Sequence, residues 1–371
     1  MKRGVQTKRC ANKADKVERK FLPKRRLVIL VCFAILISQN LLATESQPTT
    51  LKELIALSPA QLESCDIARM NLICAEGLPG AENLNVDKDL ATLDEWAQHI
   101  KSETDRNFHH FQEDPANYYN STNFYKMLMM AVVLYEDYNI RYNPKWIEAP
   151  TEIQGNDHFA ADSRDILIHG LIGDRRMGTC GSMPVLYVAL ARRLGYPVKL
   201  VTTKEHLFMR WESPTERFDM DATGKGLDKY DDDFYKKFPF PISEQEIKDE
   251  GYLKSLSPAE ELSIFLSTRG QCLMEAGRLA EATASFNAAY RLEPNWKGNQ
   301  ILLADAQQRM IPRYLPLYSR VSHEQQALDA IPDAPGVDTG TPKIPDPDPM
   351  KQMWLRQQQL QNQTLNPIPN P

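Results

Sequence analysis

The sequence predicts an α+β fold, on three observations. A stretch apolar on every side, Val185 to Ala191, reads as a buried helix. Three short segments with β-branched or alternating composition follow it at once and read as neighbouring antiparallel strands. Helical patterns flank this centre, from Leu51 to about Ile100 on one side and from Glu261 to Asn295 on the other.

At 371 residues the chain permits two domains with ample cores, and a net charge of -5 gives no field for nucleic acid, so no nucleic-acid partner is expected. The charge is unevenly placed. Residues 1–26 carry eleven Lys and Arg against only Asp15 and Glu18, and Leu27 to Ser38 is then apolar except for its last residue. This reads as an export signal. The apolar run continues weakly to Ala43, about seventeen residues, at the lower edge of the ~17–25 that span a bilayer. Leu41-Leu42-Ala43 is a poor cleavage site, so 27–44 is expected to be an uncleaved single-pass membrane anchor, with cleavage after export as the alternative. The positive-inside rule then leaves 1–26 as a basic cytoplasmic tail and everything after about residue 45 extracytoplasmic.

Residues 50–150 form a helical N-terminal part of the core. Ser58-Pro59 starts one helix, Leu78-Pro79-Gly80 interrupts the pattern, and Leu90 to Trp96 resumes it. A helix around Phe124 to Tyr138 carries Met127, Leu128, Met130, Ala131 and Leu134 as core rather than as a binding stripe. In 151–256, Pro184 is tolerated in a first helical turn, while Gly195 and Pro197 stop the helix. The strands are Pro197 to Thr203, His206 to Trp211 and Glu216 to Thr223. The acidic run Asp228 to Asp233 lacks a calcium-loop pattern and reads as a solvated surface.

From Glu261 to Asn295, Gly270, Gly277, Ala282, Phe286, Ala289 and Pro294 fall at the spacings of one thirty-four-residue tetratricopeptide repeat. With a capping helix at Gln300 to Met310, residues 257–312 make an α-hairpin unit, expected to pack on the core as an appendage and to offer a groove to a protein partner. Residues 331–371, rich in Pro and Gln, are expected to be disordered.

Chemistry concentrates in Gly178-Thr179-Cys180-Gly181-Ser182, at the start of the buried helix. A helix N-terminus and a nearby imidazole both favour a thiolate, the nucleophilic form of cysteine. His206 opens the second strand and Asp221 ends the third, so both can point to one face. Thiolate attack on an amide needs a base that returns the proton to the leaving amine, and an acceptor that orients the imidazole. Cys180, His206 and Asp221 supply that set, with Asp219 the rival orienting acid. The backbone amide of Cys180 is one oxyanion donor; His169 reads as a loop residue rather than the second. Cys65 and Cys74 are available to pair in an exported chain, Cys272 is a buried filler, and no cysteine or histidine spacing points to a metal or cofactor.

The Gly-Thr-Cys-Gly segment, the helix ending Ala191-Arg192-Arg193-Leu194-Gly195-Tyr196-Pro197, the His206 strand and Met220-Asp221-Ala222-Thr223 together resemble a transglutaminase-like core, most closely its bacterial SirB-like branch. The resemblance spans residues 50 to 310 and implies a papain-like core of helices packed on an antiparallel sheet, followed by a tetratricopeptide segment. It places the nucleophile on Cys180, the base on His206 and the orienting acid on Asp221, where Asp-Ala-Thr stands for the family's usual Asp-Pro-Thr. The implied activity is that of a cysteine peptidase, amidase or acyl transferase working on a protein or peptide through a Cys180 thioester, with hydrolysis favoured. The alternative is a non-catalytic membrane-anchored scaffold.

Overall fold

The computed structural model describes residues 47–148, 159–223 and 228–310. The expected basic tail 1–26, anchor 27–44 and Pro/Gln-rich tail 331–371 lie outside the described residues. Among the described residues no helix is long and apolar enough to cross a membrane.

The helix Met183–Arg193 is the centre, and every residue from Met183 to Ala191 is buried. Its apolar sequence has no polar face to turn to solvent, so it is sheathed by helices Ile67–Ala75 and Val86–Arg106 and by the sheet. Gly195 takes φ +72° immediately beyond it, a left-handed stop that glycine adopts at little cost. Val86–Arg106 is capped by Asn85, which accepts from the Lys88 amide at 3.0 Å, and it buries Leu90, Leu93, Trp96, Ala97 and Ile100 along one stripe. Thr122–Glu136, capped by Ser121, buries Phe124, Met127, Met130, Ala131 and Leu134 in the same core.

Two sheets follow. In the smaller, β1 (Arg141–Tyr142) pairs in parallel with β2 (Met177–Gly178). In the larger, β3 (Val198–Thr203), β4 (His206–Glu212) and β5 (Arg217–Met220) form an antiparallel meander in that order. The register sets Thr203 opposite His206 and Met209 opposite Met220. Strand alternation then divides the side chains. Val198, Leu200, Met209, Trp211, Phe218 and Met220 join the main core. The other face carries Val201, His206, Phe208, Arg210 and Asp219, and Tyr235, from the short helix Asp232–Tyr235, stacks on Phe208 with ring centroids 3.6 Å apart.

Helices Pro258–Glu275 and Leu279–Leu292 run antiparallel, joined through Gly277 at φ +70°, and a further helix spans 297–310. Gly270 is needed where they cross: a Cβ there would sit 2.4 Å from the Phe286 ring. The hairpin is not the appendage expected. Leu262, Phe265 and Leu266 belong to the same core as the central helix. Glu261, fully buried, accepts both Arg192 guanidinium nitrogens at 2.5 and 3.0 Å, and Arg269 donates to the carbonyls of Cys74 and Glu76 at 2.9 and 2.6 Å. Those partners lie on the central helix and at the end of Ile67–Ala75, so the hairpin's first helix completes the core.

Two smaller expectations change. No disulfide joins Cys65 to Cys74. The helix Ile67–Ala75 intervenes, and at about 1.5 Å per residue it sets the two on the order of 12 Å apart, beyond the ~7 Å a disulfide tolerates. The acidic run is also more than a solvated surface. Asp231 caps the helix Asp232–Tyr235, and Asp232 pairs with Arg210 and Arg217.

Candidate active site

Cys180 sits in a turn between β2 and the central helix, three residues ahead of the first helical position and partly exposed. The turn is fixed from both ends. The amides of Ser182 and Met183 reach the Thr179 carbonyl at 3.2 and 2.9 Å, and the Thr179 amide donates to Ser182 Oγ at 3.0 Å. Thr179 Oγ1 and Ser182 Oγ both donate to the Asp165 carbonyl, at 2.8 and 2.9 Å. Gly178 must be glycine for this packing, since a Cβ would lie 2.4 Å from Ser182 Oγ. The expectation that Cys180 itself opens the helix is therefore displaced by three residues: Cys180 lies in the turn closed by the Met183 amide on the Thr179 carbonyl, and the regular helix starts at Met183.

Asp165 organises the surroundings. Its buried carboxylate accepts from Asn143 Nδ2 at 2.8 Å, Trp146 Nε1 at 3.0 Å and Arg175 Nη2 at 2.5 Å. The Asn143 amide in turn bonds the Gly178 carbonyl at 2.8 Å, extending the β1–β2 pairing. That pairing sets Tyr142 opposite Gly178 and brings its phenol beside Cys180. Burial first, then the Cys180 charge, raises the Tyr142 hydroxyl pKa, so the phenol keeps its proton.

His206 begins β4 and Asp221 follows the last residue of β5, which brings the two side chains together on the face away from the main core. His206 Nε2 lies 2.7 Å from Asp221 Oδ2, and both residues are buried. Asp221 Oδ1 accepts the Thr223 amide at 2.8 Å and the Thr223 hydroxyl, and Tyr235 Oη lies 3.4 Å from Oδ2. The imidazole also lies beside Cys180, and with Nε2 committed to Asp221 the nitrogen left for sulfur is Nδ1. Burial pulls the His206 pKa down, but the hydrogen bond to Asp221 and the charges of Asp221 and Cys180 outweigh it and lift it from 6.5 to about 9. Burial pushes the Asp221 carboxyl up, yet the His206 and Thr223 contacts hold it below its ordinary value.

Asp219 does not share this site. It shares a face with Asp221, but its carboxylate faces the buried Arg210, with Nε to Oδ1 at 2.6 Å and Nη2 to Oδ2 at 3.0 Å. His169 is not in a loop; it starts the short buried helix His169–Ile172, with Nε2 3.1 Å from Ser163 Oγ. Burial lowers its pKa to about 4, leaving a neutral structural ring.

The structure thus gathers Cys180, His206 and Asp221, and adds Tyr142, Asp165 and Tyr235, which sequence reasoning missed. Tyr142 lies in a two-residue strand too short to show a period. Asp165 fixes the Cys180 turn through its backbone carbonyl, which no side-chain motif reveals. Among the described residues, no group of three or more His, Cys, Asp or Glu side chains is arranged to hold a metal ion.

Residues 88–266 match the family model of the transglutaminase-like superfamily. The match runs from the helix Val86–Arg106 into the first hairpin helix, and so includes Cys180, the central helix and the three-stranded sheet. Comparison with curated proteins and with solved structures gives no match.

Proposed function

We propose that the transglutaminase-like domain at residues 88–266 is a cysteine enzyme that cleaves amide or peptide bonds through a thioester on Cys180. The observation that carries this reading is the position of one imidazole: His206 stands beside Cys180, close enough to feel its charge, and is held through Nε2 by Asp221 at 2.7 Å. In the proposed cycle His206 takes the thiol proton and the thiolate attacks the substrate carbonyl carbon. The carbon–nitrogen bond then breaks as the imidazolium returns the proton to the departing amine. Neutral His206 next takes a proton from water, whose oxygen attacks the thioester, releasing the acid and regenerating the thiol. Asp221 keeps the ring in the tautomer that presents Nδ1 to sulfur and stabilises the imidazolium. The Cys180 amide is the donor offered to the oxyanion, and the protonated Tyr142 hydroxyl beside Cys180 is the second candidate.

Hydrolysis is favoured over transamidation because water needs no binding site of its own. The arginine-leucine-glycine end of the central helix favours the SirB-like branch, and the Gly270, Gly277 and Phe286 spacing favours a tetratricopeptide reading of the hairpin, with a groove for a protein partner. The apolar segment 27–44 is proposed to hold the domain at the outer face of a membrane.

The test is a peptide mixture incubated with the full chain, read by mass spectrometry for cleavage and for an acyl adduct on Cys180. Cleavage that is lost in Cys180→Ser and His206→Ala is the expected result. Neither cleavage nor adduct would favour the scaffold.

A further inference from the structure

The seven large apolar side chains exposed among the described residues are mostly scattered, but two of them, Phe238 and Phe240, stand two positions apart in sequence, 39% and 47% exposed, and the first lies beside His206. Phe238 meets the imidazole edge-on, with ring centroids 5.4 Å apart and planes at 84°. It is held there from behind by Phe234, stacked on it at 5.1 Å, which stacks in turn on Tyr230 at 4.2 Å. The backbone is closed as well: the Phe238 amide bonds the Phe234 carbonyl at 3.1 Å, and the Ile242 amide bonds the Lys236 carbonyl at 3.0 Å. Phe238 is thus left partly facing solvent on a braced segment, next to the imidazole that faces Cys180, with the exposed Phe240 two residues further along the same segment.

We infer that Phe238 and Phe240 form a subsite for the amine side of the substrate, one that takes a large apolar or aromatic group on the nitrogen of the scissile amide. The inference rests on the amide-cleaving reading above, and the chemistry of that reading fixes the side. A group that protonates a departing amine must come within hydrogen-bond reach of its nitrogen, so whatever that nitrogen carries lies beside His206. The acyl part stays at the Cys180 turn, with Tyr142 and the oxyanion donors. Phe238 touches His206, so its exposed face lines the amine side. By microscopic reversibility an amine that attacked the thioester would enter through the same place, so the preference holds for hydrolysis and for acyl transfer alike.

A simpler role for Phe238 would be to shield the His206–Asp221 hydrogen bond from water, and the experiment separates the two. The full chain in detergent is given a mixture of short peptides, and the new amino-terminal residues are counted by mass spectrometry against their abundance in the mixture. Phe, Tyr, Trp, Leu and Met are expected to be enriched over Gly, Ser and Asp by about tenfold, the scale on which an apolar pocket discriminates. Phe240→Ala and Phe238→Ala should each reduce that ratio; Phe240 is the more exposed, so its variant keeps the fold. A shield would instead slow cleavage before every residue equally and leave the ratio intact, which would overturn the subsite. Cleavage with no enrichment in the unmodified chain would overturn it too, without touching the amide-cleaving reading. Absence of cleavage at any bond would remove that reading and the subsite together.

Discussion

Asp219 and Asp221 lie two residues apart on one face of the sheet and meet opposite partners, a buried guanidinium and a buried imidazole. Their variants should therefore part company. Asp219→Asn leaves the Arg210 charge, only 1% exposed, short of its main counter-ion, and should cost about 3–5 kcal/mol in denaturant unfolding. The residual contacts of Arg210 to Asp232 and the Leu253 carbonyl place the expected loss at the lower end of that range. Asp221→Asn should leave the protein folded and slow turnover by about 10⁴, the effect of removing an orienting carboxylate elsewhere. It should also change the pH profile. His206 is raised above 6.5 to about 9 by Asp221 and Cys180, so the imidazolium form persists until the pH climbs through about 9. Its contribution to stability is fully present below 6.5 and is lost over the same rise, to about 9. Without the Asp221 charge, the alkaline fall in activity should move towards neutral pH; an unmoved alkaline limb would detach His206 from the chemistry.

Among the secondary-structure elements, those whose pattern is self-contained were legible. The central helix announced itself by Pro184, the apolar run and Gly195, and β3 to β5 by their composition, because burial on all sides or on one face writes a period into the sequence. Gly270 and Phe286 marked the hairpin crossing for a similar reason: a close approach allows only a small residue. Gly270→Ala forces a methyl into the Phe286 ring and should destabilise by about 1–3 kcal/mol in thermal unfolding, whereas Gly277→Ala, in open space but at positive φ, acts only through backbone strain. An unaltered melting temperature for Gly270→Ala would mean the helices part at little cost. What stayed hidden depends on partners distant in the chain. Tyr142 reaches Cys180 only because β1 pairs with β2, and the Cys180 turn is set by the carbonyl of Asp165. The hairpin's merger with the core turns on Glu261 meeting Arg192, sixty-nine residues away, and no local period records that.

For the whole molecule, the buried Arg192–Glu261 pair and the shared apolar core tie the hairpin to the catalytic candidate, so the two should unfold in one transition. The position of that unit relative to a membrane rests on residues 27–44. A reporter fused after residue 310 should be active outside the cytoplasm and stay with the membrane fraction. A soluble product beginning near Thr44 would point to cleavage, and a reporter active only in the cytoplasm would contradict export in either form.

The central claim is that His206 makes Cys180 a nucleophile, and the most direct measurement is the alkylation of each cysteine by iodoacetamide in the native chain, followed by mass spectrometry. Cys74 and Cys272 are buried, with thiol pKa values pushed up to about 12 mainly by that burial, and should resist labelling. Cys65, partly exposed, with its Sγ 3.8 Å from the Gln61 carbonyl, is the internal reference in the same sample. Cys180 should be labelled fastest at neutral pH and should slow by at least about tenfold in His206→Ala, while Cys65 is unchanged. Equal labelling of Cys180 in both proteins, at the rate of Cys65, would contradict the account.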